Sequence, residues 1–412
     1  MPLFSIPLSG LTASSTALSA ISNNIANLNT VGYKQTRAMF RDLFYQTMGT
    51  SGSGDPIQVG AGSAIGSINS NFTPGSVEQS GVATDVAISG DGFFIVQKAG
   101  VLAYTRAGDF SRDDNGYLVT SEGQQVLGYP AVAGAISTGQ GLVPLDLGSG
   151  SVSAPNPTSF VQMRTNLDAG SKTTDPPFST PVNIYDSLGA IHNLKFTFTK
   201  TAANAWNYSI SIPAADVGQT GSDVVIKTGA LTFDGAGNLL TPAADVTGIA
   251  ITGFADGAND LTFTWKIYDG SSATISQVAT GSNTSSTSQD GYEAGSLDTF
   301  AIQSDGMIQG TFSNGKTAIV GQIALANFPN LQGLMRIGKN DFQSSLASGA
   351  AVVGAPGTGG RGTLAGGALE LSNVDIAREF SQLIMAERGF QANARVVTTF
   401  DEITQETINL KR

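Results

Sequence analysis

The chain has 412 residues, too many for one ordinary compact domain and enough for roughly two to four with real hydrophobic cores. Its formal net charge of -11 opposes binding to a phosphate backbone, so nucleic acid is not an expected partner, and the absence of cysteine excludes disulfides and thiolate metal sites. Only 13% of residues are charged while 51 are glycine, the composition of a surface meant to be covered.

The opening MPLFSIPLSG lacks the positive start and continuous apolar core of a cleavable secretion signal. Nowhere do about 18 consecutive apolar residues offer a membrane span, so stable membrane insertion is not expected. If the chain is exported, the route is expected to leave its N-terminus intact.

The first element is a helix. Phe4, Leu11, Leu18 and Ile25 recur every seven residues, and Ile21 and Leu28 add the companion positions of a coiled-coil seam. Pro7 is tolerated because it falls in the first turn, where its missing N–H has no helical acceptor. Residues 29–32 end the pattern, with Gly32 able to take the left-handed conformation that closes a helix. Lys34, Arg37 and Arg41 follow and read as a solvated helical stripe without function. Residues 49–66, rich in Gly, Ser and Ala, read as a connector.

The middle reads as sheet. Leu194, Phe196 and Phe198 alternate with Lys195, Thr197 and Thr199; Trp206, Tyr208, Ile210 and Ile212 form a second run, and Leu261, Phe263, Trp265 and Ile267 a third. Turn signals separate these half-buried strands, among them Asp113 to Gly116, Asp186 to Gly189, Asp305-Gly306 and Asn314-Gly315. Residues 134–150 and 281–289 bracket a second β-block, read as an insertion into the first.

Candidates for chemistry are few. His192, the only histidine, rules out multi-histidine metal sites; it sits at a strand start after a turn and reads as structural. Asp113, Asp114 and Asn115 lack the glutamate of an EF-hand and fit a hairpin turn. Gly357, Gly359 and Gly362 match a dinucleotide-binding spacing without the βαβ unit it requires, within the flexible connector expected at 349–367. No cofactor, metal or catalytic residue is expected.

At the far end, Ser372 to Asp375 has capping-box spacing, and no proline interrupts the chain up to about Leu410. Ile376, Leu383, Phe390 and Val397 mark a seam at seven-residue intervals, joined by Phe380 and Ala394, before Val396, Ile403 and Leu410 shift its phase. This helix is expected to outlast the first by roughly 15 residues, or about 20 Å. The unmatched apolar seam then requires another subunit, and heterologous contacts that do not close make an open helical polymer.

The expected fold is multi-domain α+β: paired long terminal α-helices form a coiled-coil inner domain, with two mainly antiparallel β-domains nested between them. Residues 1–32 and 370–412 make the helical polymerisation domain, 33–70 and 345–369 a connecting region, 71–149 and 285–344 the first β-domain, and 150–284 the inserted outer β-domain.

SNNIANLNTVGYK, with Asn23, Asn24, Asn27, Gly32 and Tyr33, resembles the N-terminal signature of flagellar rod and hook axial proteins. ALELSNVDIAREFSQLIMAERGFQANARVVTTFDEI, with Ser372, Asn373, Val374 and Asp375, resembles their C-terminal one. GVATDVAISGDGFFIVQ, YTRAGDFSRDDNGYLV and GQQVLGYP are similar to the family's shared β-domain, and VNIYDSLGAIHNLKFTF, GYEAGSL and GTFSNGKTAIVGQIALANF to hook subunits. Residues 42–62 are similar to an extra segment of rod proteins.

The resemblance implies a structural, non-enzymatic hook subunit that forms a flexible tube. That tube would transmit motor torque and enclose a channel for later subunits, with secretion through the flagellar type III apparatus. Its implied partners are further copies of itself, the distal rod, the hook cap, the hook-filament junction proteins and the export apparatus. The alternatives are a distal rod protein forming a stiff shaft and, from another class, a secreted β-rich adhesin.

Overall fold

In the computed structural model, described for residues 5–43, 46–132, 134–148 and 152–410, helices α1 (Ser5–Ala26) and α2 (Ile376–Asn409) stand at the chain's two ends and strands fill the interval. Phe4 lies outside the described residues. The chain divides into one unit of Met1–Ser151, Thr299–Gly310 and Ala318–Arg412, and another of Val152–Asp298 and Thr311–Thr317.

Helix α1 is rich in Ser and Thr, which ordinarily compete with helical hydrogen bonds. Here Thr12, Thr16 and Ser19 turn their hydroxyls back to the carbonyls of Leu8, Thr12 and Ser15, four residues earlier. The helix ends at Ala26, so Leu28 lies in the following turn and not on the helical seam. Gly32 does adopt a left-handed φ of 66°, but six residues beyond the helix, where it serves a different contact.

In α2 the cap is Asp375 itself: its Oδ1 accepts from the amides of Ala377 and Arg378 at 2.9 and 3.2 Å. The expected capping box led by Ser372 therefore starts three residues too early, and the Ser372 hydroxyl accepts from Val374 instead. With 34 residues against 22, α2 exceeds α1 by somewhat less than the seam predicts.

The first unit's sheet is built on Phe93–Lys98. Its continuous apolar run, Phe93 to Val96, is buried throughout, as suits a strand covered on both faces. It pairs antiparallel with Val101–Thr105 and Gln125–Val132; Thr317–Ile323 extends the second of these, and Asp341–Gln343 followed by Met335–Gly338 the first. Tyr104 meets Phe328 edge-on at 4.8 Å and Phe93 meets Phe342 at 5.6 Å, filling the core below the sheet. Asp113 spends Oδ1 on the amides of Asn115 and Tyr117, the hairpin-turn role.

The segments read as connectors are largely strand. Thr36–Asp42 pairs with Ser63–Ser70 and Gln46–Thr50 with Pro56–Val59, so Arg37 and Arg41 lie on a strand, not a helical stripe. Val352–Gly354, Thr363–Gly366 and Ala368–Glu370 pair with Leu325–Asn327, Val86–Ser89 and Val77–Gln79. Even the glycine-rich 357–362 loop is closed, by bonds from Gly357 N to Gly362 O and from Gly362 N to Asp91 O. In this loop Gly357, Gly359 and Gly360 take positive φ, and a Cβ on Gly362 would stand 2.5 Å from Ser89 O.

The second unit holds two five-stranded sheets. One is antiparallel and runs Phe178–Tyr185, Ile191–Ala202, Ala205–Ile212, Val224–Phe233, Leu239–Thr241. The other centres on Phe160–Asp168, which pairs parallel with Leu261–Lys266 and with Ile275–Val278, and antiparallel with Asn283–Gln289. Leu194, Phe196, Phe198, Trp206, Tyr208 and Ile210 from the first sheet share one core with Val161, Met163, Phe263 and Trp265 from the second. Val152–Ser153 and Ser296–Gly295 lie side by side where the chain enters and leaves this unit.

Trp265, packed against Phe196, Phe198 and Tyr208, is the more deeply buried of the two tryptophans in that core. Replacing it with alanine is expected to destabilise the second unit by about 3–5 kcal/mol. Both tryptophans, Trp206 and Trp265, belong to this unit, so Trp206 fluorescence during denaturant unfolding reports it selectively. A change below about 0.5 kcal/mol would show that the two sheets do not depend on this contact.

Candidate assembly site

The segment after α1 and the segment before α2 are joined by buried polar groups. Asn24, 1% exposed, donates to Glu379 Oε2 at 3.1 Å and to Thr36 O at 2.8 Å; its Oδ1 accepts from the Thr36 amide and the Tyr33 hydroxyl. Glu379, with no exposed surface, also accepts from the Gln35 side chain. A charge so placed requires such donors, because an unpaired buried carboxylate costs several kcal/mol.

A second network lies nine residues earlier. Glu370 accepts from Lys34 Nζ at 2.6 Å through Oε1 and from Arg106 at 3.2 Å through Oε2, and all three side chains are buried. Burial pulls the Lys34 ammonium below its ordinary pKa; Glu370 opposes this, and the Arg106 guanidinium adds to it. Lys34, read as a solvated charge, is thus an interior one, as its pairing with Glu370 allows.

The motif residues fall around these two carboxylates. Asn23 donates to the Tyr33 hydroxyl at 3.3 Å, and Asn27 donates back to Asn23 O at 2.8 Å, closing the turn after α1. Tyr33 is buried under the Arg336 guanidinium, 5.4 Å from its ring centroid. Asn373 receives the Gln35 amide at 2.7 Å and donates to Asn71 O and Thr73 O at 2.9 Å; Val374 is buried beside it. Gly32 donates its amide to Glu370 O at 2.8 Å.

Along the helices, the face of α2 turned to α1 is not the apolar seam. A Cβ on Gly10 would stand 2.7 Å from Asn393 Nδ2, and one on Gly389 would stand 3.5 Å from Ser14 Oγ. With Glu379 and Ala386, these positions lie one residue earlier than the expected seam, about 100° around the helix. Small residues on both helices, including Ala13, Ala17 and Ala386, leave an open groove of about 550 Å³ between them. Leu11, Leu18, Ile25, Leu383, Ala394 and Val397 are half-buried and Ile21 is buried. Ile376, Phe380 and Phe390 are exposed, the last two by 47% and 39%, as are Ile384 and Met385. The seam is thus covered only in part: Leu383, Ala394 and Val397 are half-buried, while Ile376, Phe380 and Phe390 are left exposed.

Residues 87–156 match the family model for the flagellar hook protein FlgE/F/G D1 domain, and 155–292 that for the flagellar basal body protein FlaE D2 domain. Residues 6–34 match the flagella basal body rod protein model, and 365–410 the flagellar basal body rod FlgEFG protein C-terminal model. The chain is similar to the flagellar hook protein FlgE of Escherichia coli, 35% identical with 99% of this chain and 100% of that one covered. It is also similar to that of Treponema pallidum, 33% identical over 98% of each. The crystal structure of Helicobacter pylori flagellar hook protein FlgE2 overlays 70% of this chain and 98% of its own with a TM-score of 0.43 at 17% identity, too low to bear on the fold.

At Gly32 the left-handed φ coincides with a steric limit: an added Cβ would lie 2.5 Å from the backbone at Arg106 and Ala107. Gly32→Ala is therefore expected to destabilise the first unit by at least about 2 kcal/mol, read by thermal unfolding in circular dichroism. An unchanged transition would show that this approach is not constrained. With 99% of its length matched at 35% identity, the chain belongs to the flagellar hook protein FlgE family.

Proposed function

We infer that this chain is the structural subunit of a flagellar hook and works by polymerising, without catalysing a reaction. The uncovered apolar stripe on α2 is the observation that carries the assembly mechanism: Ile376, Phe380, Ile384 and Phe390 are exposed on one side of the helix although it is folded. Burying such side chains gains roughly 1.5–3 kcal/mol each, enough in a repeated contact to drive association.

In this reading α1 and α2 form the coiled-coil inner layer of a tube. The seam residues Leu11, Leu18, Ile21, Ile25, Leu383, Phe390, Ala394 and Val397 make its helix contacts, while the β-units are nested between the helices and placed outward. Residues 23–33 and 372–375 fix the angle at which both helices leave the first β-unit, through Asn24 and Asn373. The tube bends while transmitting torque and encloses the channel through which later subunits pass. Its ends meet the distal rod, the hook cap and the hook-filament junction proteins, and the chain arrives through the type III export apparatus.

A stiff distal rod is the second reading, favoured by the hairpin Gln46–Thr50 and Pro56–Val59 within the rod-like segment. The two readings separate on the shape of the purified polymer, curved for a hook and straight for a rod.

Phe380→Lys with Phe390→Lys tests the mechanism. Both side chains are exposed on the subunit, so monomer unfolding is expected to shift by no more than about 0.5 kcal/mol. Electron microscopy and sedimentation should nonetheless find no tubes under conditions where the parent chain polymerises. Normal tubes from the double variant would end the proposal that this stripe drives assembly.

A further inference from the structure

The second unit gathers its titratable groups at one place. His192, the chain's only histidine, lies on the buried face of its strand in line with Leu194, Phe196 and Phe198. Its Nε2 is 3.1 Å from Asp186 Oδ2 and 3.9 Å from Asp256 Oδ2, and its Nδ1 is 3.1 Å from Asp216 Oδ2. The Phe254 ring covers the imidazole at 4.6 Å.

Each carboxylate is aimed. Asp186 commits Oδ1 to the amides of Leu188 and Ala190 at 2.8 and 2.9 Å, leaving Oδ2 toward the imidazole. Asp256 commits Oδ1 to the Ala258 amide at 3.0 Å and likewise leaves Oδ2. Among the described residues, no lysine or arginine is ion-paired with any of the three acids.

One imidazole facing acids on both nitrogens poses an electrostatic conflict. A neutral imidazole carries one N–H, so whichever tautomer forms, the other nitrogen presents a lone pair to a carboxylate oxygen at 3.1 Å. A second ring proton or a metal cation between ring and carboxylate relieves this. With Nδ1–H donated to Asp216, Nε2 is left as a ligand, the arrangement in which a carboxylate orients a metal-binding histidine. The Nε2, Asp186 Oδ2 and Asp256 Oδ2 atoms all lie within 4.8 Å of one another. The two separations from Nε2, 3.1 and 3.9 Å, fit ligands at about 2.0–2.2 Å from one ion, which stand at most about 4.4 Å apart.

We propose that His192, Asp186 and Asp256 form a binding site for one divalent transition-metal cation of the zinc class, with Asp216 as the positioning residue for the imidazole. An imidazole ligand favours such ions over calcium or magnesium, which prefer oxygen alone. The ion would tie together the Asp186 turn, the 3-10 turn Ala214–Val217 and the 254–258 loop.

The probe is Zn²⁺ added to the chelator-treated full chain as monomer, followed by calorimetry and by nitrogen-15 NMR of the imidazole. With a single histidine in the chain, its ring signals need no assignment. The expected result is one equivalent bound, a shift of Nε2 with Nδ1 still protonated, and a raised unfolding temperature reversed by chelator. Asp256→Asn should weaken binding at least 10-fold, and Asp216→Asn by about 10- to 100-fold. Asp256 is partly exposed, so this variant is expected to fold, checked by Trp206 fluorescence. Ring signals unmoved by Zn²⁺, two protonated ring nitrogens at saturating Zn²⁺, or undiminished binding in folded Asp256→Asn would each overturn the site. The first two outcomes would assign the bridging cation to a proton.

Discussion

Two carboxylates without access to water, Glu370 and Glu379, bind the beginning of the chain to its end. Each is buried, each is held by residues following or within α1, and together they bracket residues 372–375, the approach to α2. Removing one partner of a buried ion pair typically costs about 3–5 kcal/mol, whereas the intact pair adds little net stability over an apolar contact. What such groups supply is geometric uniqueness: Asn24 has its hydrogen-bonding capacity met only when Thr36, Tyr33 and Glu379 all converge on it. A helix pair in contact through glycine, alanine and serine has little side-chain interlocking of its own to specify register, so the polar junction supplies it.

That division of labour explains why α2 is amphipathic without being buried. Its small-residue face lies against α1, Leu383 and Val397 are half-buried, and Ile376, Phe380, Ile384 and Phe390 stay exposed. An intramolecular coiled coil would have consumed Phe380 and Phe390. Their exposure leaves the subunit with hydrophobic surface that ordinary soluble monomers avoid in contiguous form.

Much of this was legible from residues alone, because period-two and period-seven patterns are physical statements about faces. The strands around Phe196, Trp206 and Phe263, both terminal helices and the turn at Asp113 follow from such patterns. Chain connectivity in the β-rich middle was legible only as alternation, and nothing in it announced the parallel pairs made by Phe160–Asp168. Lys34, Arg106, Glu370 and Glu379 were missed because buried charges are rare and carry no local signal; their partners lie more than 250 residues away in all four pairings that matter. The glycine tracts misled for a related reason. Glycine marks flexibility and close approach alike, and only the neighbouring backbone, as at Gly32 beside Arg106, distinguishes them. His192 was read only as structural at a strand start, although it shares the alternation of Leu194, Phe196 and Phe198; the carboxylates around it come from three separate loops.

The pairing of Val152–Ser153 with Gly295 and Ser296 gives the second unit adjacent ends. A domain whose first and last strands are neighbours can be lengthened, shortened or exchanged without altering the gap that its host must bridge. Loop-closure entropy changes only with the logarithm of the length enclosed, so the host sheet is nearly indifferent to how many residues intervene. The second unit can therefore change in length while the contacts at Glu370 and Glu379 stay under an unrelated constraint.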